Sequence, residues 1–352
     1  MKAFVYNSQP SRVVFGAGSL ERVGDEVAHL GADRALVLCT PEQRDLAENI
    51  GRLLGARLAG IYDRAVMHVP LETAEAARAL AKELHADCCV TPGGGSTIGL
   101  GKAIALTSGI PIVAIPTTFA GSEMTPIYGL TVAGHKQTGR DARVLPKSVI
   151  YDPLLTASLP AKIAGPSGMN AMAHCVEALY AEDRNPITTL MAEEGIRTLA
   201  ICLPAVVSPA SPLNARAEAL FGAWLAGTCL GSVGMGIHHK LCHVVGGRYN
   251  LPHAETHTVI LPHAVHYNRA AAPEAMARIA AALGGADPAG GIYDLAQSIG
   301  APLALRDIGL RSDVLDEAAH LATENAYPNP RPIEYSAVRQ LLKDAWEGRR
   351  PE

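Results

Sequence analysis

At 352 residues, with 48% apolar and only 5% aromatic side chains, the chain is long enough for two domains, each with its own core. A net charge of −4 with dispersed Lys and Arg leaves no nucleic-acid footprint. No apolar run reaches the roughly eighteen residues of a membrane span, residues 1–7 lack the apolar run of a secretory leader, and seven cysteines without paired metal spacing read as buried thiols of a cytoplasmic protein.

Phe4-Val5-Tyr6 and Arg12-Val13-Val14-Phe15 favour β structure. They predict a strand pair feeding a helix over 19–30, capped by Ser19, with Arg22 and Glu26 on its wet side. Residues 35–39 are an apolar run suited to a buried parallel strand, and Thr40-Pro41-Glu42 opens the next helix. Strands over 58–62, 88–90, 111–115 and 148–151 alternate with helices over 73–85 and 98–105. That alternation predicts a Rossmann-like parallel sheet, an α/β domain over residues 1–154.

Two stretches in this half carry binding chemistry. Thr91-Pro92-Gly93-Gly94-Gly95-Ser96-Thr97 follows a strand and precedes a helix. Glycines there let backbone approach a ligand, and the helix start offers N–H groups to a pyrophosphate. A plain tight turn fits the same residues, which are not the Gly-x-Gly-x-x-Gly fingerprint. Pro116-Thr117-Thr118-Phe119-Ala120-Gly121-Ser122-Glu123-Met124-Thr125 then places hydroxyls at a strand's C-terminal end, where an open α/β sheet binds ligands.

Beyond residue 155 the composition turns Ala/Leu-rich, with helices expected over 170–182, 186–203, 212–232, 236–245, 273–283, 291–299 and 336–346. This predicts an all-helical domain over 155–352, with the reactive ring of a cofactor in the cleft between domains. Within it, Asn170 and His174 are spaced to share a helix face, as are His239 and His243, while His253 follows a Gly-Gly break and a proline. One such imidazole is commonly a core histidine; four beside an amide point to a site. His263 and His266 read as structural.

These segments, in this order, resemble the iron-containing alcohol dehydrogenase family over nearly the whole chain. The resemblance implies a dehydroquinate synthase-like architecture, a nicotinamide cofactor (NADH or NADPH) and a homodimer. It implies a pyrophosphate loop at Gly93, Gly94, Gly95 and Ser96. Thr117, Thr118, Ser122, Thr125 and Lys136 would reach the nicotinamide ribose half. Gly99 stands where the family has aspartate. Thr40, aligned with the residue that reads the adenosine 2′ position, carries no charge, so exclusion of NADPH is expected to be weak. The family's metal ligands match Asn170, His174, His239 and His253, with His243 a nearby non-ligand, and Ala254 replaces a family glycine. Arg331, in Asn329-Pro330-Arg331, becomes a possible carboxylate clamp, since guanidinium pairs bidentately with such groups.

Asparagine in place of the ligand aspartate looks like the maleylacetate-reducing branch of the family. Three imidazoles and an amide make a weak site for a hard divalent cation, so no tightly held metal is expected. The histidines act instead as hydrogen-bond donors to an enolate formed from a small conjugated keto-diacid. Two alternatives stand beside this: a metal-dependent alcohol dehydrogenase in which Asn170 ligates, and a nicotinamide-binding protein without catalysis.

Overall fold

The structure, a computed structural model, describes Phe4, Tyr6, residues 11–132 and residues 135–352; the side chains of His135 and Lys136 lie outside this set. The chain divides into two compact units, residues 9–159 and 160–352.

The first unit contains β1 (Arg12–Phe15), β2 (Ala35–Leu38), β3 (Leu58–Tyr62), β4 (Cys88–Gly93), β5 (Ile112–Pro116), an antiparallel hairpin of β6 (Ile127–Val132) and β7 (His135–Arg140), and β8 (Ser148–Tyr151). Six strands form one parallel sheet in the order β1-β8-β5-β4-β2-β3. β2, β4, β5 and β8 are buried at every position, as continuous apolar runs are when helices cover both faces. The helices are α1 (Val23–His29), α2 (Arg44–Leu54), α3 (Leu71–Glu83) and α4 (Gly95–Ser108). Val23, Val27 and Ile50 pack on Val37, Val90, Val113 and Ile150. From β2 the chain moves outward to β3, then returns to set β4 on β2's other side. Connections therefore leave β2 and β4 in opposite directions, which opens a crevice at their C-terminal ends.

Two expectations need correction. The helix over 19–30 is a 3-10 turn, Ser19–Arg22, followed by α1, and Gly18 in the left-handed region (φ 78°) precedes it as cap. Ser19 instead donates to the Tyr151 carbonyl at 3.1 Å. Glu26 is not on a wet face. It is 1% exposed, with Arg12 Nε at 2.9 Å and Ser148 Oγ at 2.6 Å. A buried carboxylate needs such partners, and both lie too far along the chain for helical spacing to reveal them. β1 pairs with β8, and Val5 of the expected partner strand lies outside the described residues.

The second unit is helical: α5 (Ala161–Tyr180), α6 (Pro186–Val207), α7 (Leu213–Ser232), α8 (Ile237–Tyr249), α9 (His253–Asn268), α10 (Pro273–Leu283), α11 (Pro288–Ser298), α12 (Leu315–Thr323) and α13 (Tyr335–Glu347). α5 is buried at every residue from Ala164 to Tyr180, as a helix apolar on all sides must be. A second core joins Ile237, Leu241 and Val245 of α8 to Ile260 and Ala264 of α9 and to Leu342 of α13. His253, which follows the Gly-Gly break and a proline, opens four turns of helix over residues 253–268, and α12 lies where no helix was expected. No single helix among the described residues is long and apolar enough to cross a membrane; α7 and α8 pass that test only together, and they bend by 97° at their junction. All seven cysteines are buried and none forms a disulfide.

Candidate active site

The crevice between β2 and β4 is lined by the glycine turn that the sequence offered to a pyrophosphate. Gly93 has φ +149°, and a Cβ there would stand 2.5 Å from Thr97 Oγ1 and 2.7 Å from Gln43 Oε1. Only glycine takes this backbone in this space. At Gly94 a Cβ would meet the Thr118 side chain at 3.0 Å. α4 starts at Gly95 without a side-chain cap, and the buried Thr97 hydroxyl has no hydrogen-bond partner in the structure. Uncapped N–H groups and an unpaired hydroxyl at a helix start suit a phosphate. At Gly99 a Cβ would lie 2.9 Å from Val69 Cγ2, so the position has little room for the family's aspartate.

Gln43, which the sequence reading passed over, bridges the strand ends. Its Nε2 donates to Thr117 Oγ1 at 2.9 Å. Thr40 is half-buried at the end of β2. Glu42 beside it is held below the usual carboxylate range by its own backbone N–H and then by the Thr40 hydroxyl. The place read as uncharged thus has a carboxylate neighbour.

Ser122 and Thr118 are half-buried, whereas Thr125 is 2% exposed and its hydroxyl is already committed. It accepts from Lys102 Nζ at 2.8 Å and donates to the Ser122 carbonyl at 3.1 Å. Thr125 therefore shapes the turn rather than reaching a ribose. Lys102 also donates to the Ser122 carbonyl at 2.7 Å and the Ile127 carbonyl at 2.8 Å. Burial pulls its ammonium down to about 7, opposed by Glu123, whose carboxyl burial pushes up to about 7. Lys136 belongs to β7, and its side chain lies outside the described residues.

The candidate histidines lie in the helical unit. His174 of α5, His238, His239 and His243 of α8, and His253 and His257 of α9 form one imidazole cluster. Ring centroids are 5.0 Å apart for His174–His239, 6.2 Å for His239–His243, 4.4 Å for His253–His257 and 5.1 Å for His239–His257. His243 is exposed and His253 half-buried, so these two form the rim; the other four are buried. His238 and His257 carried no assignment from the sequence. His257 lies one helical turn beyond His253, a spacing visible only once α9 is known to be a helix.

Hydrogen bonds order the cluster. Glu177 Oε2 accepts from His239 Nδ1 at 2.6 Å, and His239 Nε2 lies 2.9 Å from His174 Nδ1. Burial pushes the Glu177 carboxyl up, but its bonds to His239, Gly236 and His238 outweigh this and hold it below its ordinary value. Both nitrogens of His239 are thus engaged inside the protein. His239 is a link in the cluster, not the donor to substrate that the spacing suggested. His238 Nε2 and His257 Nδ1 are 2.9 Å apart, with Cys242 Sγ 3.6 Å from His238 Nε2. These three groups could hold a cation by type and closeness. The 2.9 Å nitrogen pair is also within hydrogen-bond distance, one ring donating and the other accepting. Burial, then the neighbouring imidazoles, keep His238 and His257 well below the usual histidine value, so both are neutral at pH 7.

Asn170 is 3% exposed, and its Oδ1 has no hydrogen-bond partner in the structure. Arg331 is not a free clamp. Its guanidinium lies 4.3 Å over the Tyr267 ring, and Nη1 reaches the Tyr267 carbonyl at 3.4 Å. Tyr267 stands ten residues beyond His257 on α9, about 15 Å of helix rise. The Asn-Pro-Arg segment is fixed there by Asn329, which donates to Asn268 Oδ1 at 2.8 Å and accepts from Ile237 N–H at 3.3 Å.

Comparisons with known proteins match residues 10–153 to iron-containing alcohol dehydrogenase and residues 165–346 to the Fe-containing alcohol dehydrogenase family, C-terminal. Maleylacetate reductase of Burkholderia cepacia is 56% identical over 351 residues, covering all of both chains. The crystal structure of maleylacetate reductase from Agrobacterium tumefaciens is 51% identical with a TM-score of 0.96, again over the full length of both chains. A crystal structure from Ralstonia eutropha JMP134, described as an alcohol dehydrogenase, is 60% identical with a TM-score of 0.99 and the same full coverage.

Proposed function

The chain belongs to the iron-containing alcohol dehydrogenase family, and from that premise we propose that it reduces the conjugated double bond of maleylacetate to give 3-oxoadipate with a nicotinamide cofactor. Hydride from the dihydronicotinamide adds to the alkene carbon remote from the ketone. The alkene electron pair shifts toward the carbonyl, and negative charge collects on the ketone oxygen as an enolate. A proton then joins the carbon next to the ketone, so NAD(P)H and one proton are consumed. The sheet unit supplies the nucleotide site through Gly93, Gly94, Gly95, Ser96, Thr118 and Ser122. The helical unit supplies donors for the enolate, with His243 and His253 at the accessible rim of the cluster.

The family implies a divalent iron on Asn170, His174, His239 and His253. This donor set does not fit it. Asn170 adds an amide dipole where a hard cation needs a charge. A ketone already conjugated to an alkene needs only hydrogen-bond donors to accept hydride. The carrying observation is this hydrogen-bonded imidazole cluster with an amide in place of a carboxylate, in a chain 56% identical to a maleylacetate reductase.

Steady oxidation of NADH on adding maleylacetate, with 3-oxoadipate as product, tests the reading. Turnover of simple alcohols and aldehydes but not maleylacetate would refute it. His243→Ala and His253→Ala are each expected to lower kcat roughly a hundredfold, the size of a lost oxyanion donor. Both NADH and NADPH should serve, within a preference of about a thousandfold. The carboxylate of Glu42, two residues beyond Thr40, should tilt that preference toward NADH.

A further inference from the structure

Glu177 is wholly buried in α5, three residues after His174. Five donors converge on its carboxylate. The backbone N–H of Gly236 reaches Oε2 at 3.0 Å, that of His238 reaches Oε1 at 3.0 Å, and that of His239 reaches Oε2 at 3.3 Å. Tyr180 Oη donates to Oε1 at 3.1 Å, and His239 Nδ1 to Oε2 at 2.6 Å. The three amides are the open start of α8, which has no side-chain cap of its own. An anion at a helix start satisfies groups that the helix leaves unpaired. Here the anion comes from another helix, so one carboxylate docks the helix bearing His238, His239 and His243 against the helix bearing Asn170 and His174.

The tautomers follow from the partners. A carboxylate accepting five bonds has no proton to give, so His239 carries its proton on Nδ1. Its Nε2 is then an acceptor, and His174 must supply the proton of the 2.9 Å contact from Nδ1. The chain Glu177–His239–His174 has one direction of donation, fixed at its buried end.

We infer that Glu177 is the positioning residue of this site: it caps α8 and, by holding the proton of His239 on Nδ1, sets the orientation of both His239 and His174 for the reduction. This rests on the reductase reading, and it acts through other residues without touching substrate. A glutamine in its place is isosteric but has one acceptor oxygen. Whichever way its amide turns, an N–H₂ faces at least one of the N–H donors now satisfied, and the charge that favours the Nδ1 proton is gone.

The test uses the full-length protein with ¹⁵N-labelled histidine. Two-bond ¹H–¹⁵N spectra, assigned with His239→Gln and His174→Gln, should show the wild type with His239 protonated at Nδ1 and bare at Nε2, and His174 protonated at Nδ1. In Glu177→Gln the population of His239 protonated at Nε2 should rise. Its kcat for maleylacetate should fall at least about tenfold, the scale for losing a carboxylate that orients a functional histidine. The KM for NADH should stay within about twofold, since the nucleotide residues belong to the other unit. Glu177→Asp should recover part of kcat. A wild-type His239 protonated at Nε2 would overturn the inference, and that spectrum needs neither substrate nor a variant that alters Glu177. A folded Glu177→Gln with kcat within threefold of wild type and an unchanged His239 spectrum would overturn it equally. Failure of the wild type to reduce maleylacetate would instead defeat the reductase reading and leave the tautomer result standing.

Discussion

At the scale of the residue, burial decides what a titratable group can do. His263 is 4% exposed, with no hydrogen-bond partner for Nε2. Burial, opposed by the nearby Asp344, pulls its imidazole down to about 4. The unfolded chain binds this proton near pH 6.5 and the folded chain only near 4, so the unfolded state holds more protons in between and stability rises with pH there. The contribution is complete above the unfolded value and is lost as pH falls toward 4, on the order of 3 kcal/mol for this group. The urea midpoint should therefore drop between pH 7.5 and pH 5, and His263→Asn should shallow the drop; a midpoint flat across that range would contradict this. Spacing alone drew His174, His239 and His253 into one group, and the structure brings their rings into one cluster. The roles were less visible, because the partners that fix His239 lie 62 and 65 residues away along the chain. Arg331 misled for the reverse reason: the sequence shows its charge, and only packing shows the Tyr267 ring beneath it.

At the scale of the element, the nucleotide crevice depends on two devices. The first is the β4–α4 turn. Gly93→Ala puts a Cβ where Thr97 Oγ1 and Gln43 Oε1 now stand and forces a strained φ. NADH affinity should weaken by about 2 kcal/mol, the scale of such strain, with far-UV circular dichroism unchanged. Gly94→Ala, opposed only by the movable Thr118 side chain, should cost less. Equal NADH Kd values for wild type and Gly93→Ala would remove this turn from the site. The second device is Lys102, which ties α4 to the 122–127 turn through three acceptors. Lys102→Met takes the donor from the Ile127 carbonyl and leaves the Ser122 carbonyl only the Thr125 hydroxyl, which should destabilise the fold by about 2 kcal/mol and raise the KM for NADH. A Tm within two or so degrees of wild type would show the turn holding itself. Strands β2, β4, β5 and β8 were legible because they are buried on both faces and read as unbroken apolar runs. The extent of α9 was not legible because a proline introduces it and histidines and threonines fill its first turns, so no apolar stripe marks its start.

At the scale of the molecule, the change from β-alternation to Ala/Leu-rich helices near residue 155 is written in composition, and the two compact units divide at 159/160. What composition does not carry is how the helices share one polar network across α5, α8 and α9. That network bears the central claim, that the family's metal has been replaced by hydrogen-bonded imidazoles. Asn170→Asp restores a carboxylate beside them and should raise iron or zinc uptake, measured per chain after dialysis against the metal; uptake equal to wild type would show that the amide was not the obstacle. The most direct measurement is elemental analysis of the wild-type protein, with maleylacetate reduction assayed before and after exhaustive chelation. The account predicts far less than one metal per chain and activity largely unchanged by the chelator. Stoichiometric metal, with activity that vanishes on its removal and returns when it is added back, would contradict it.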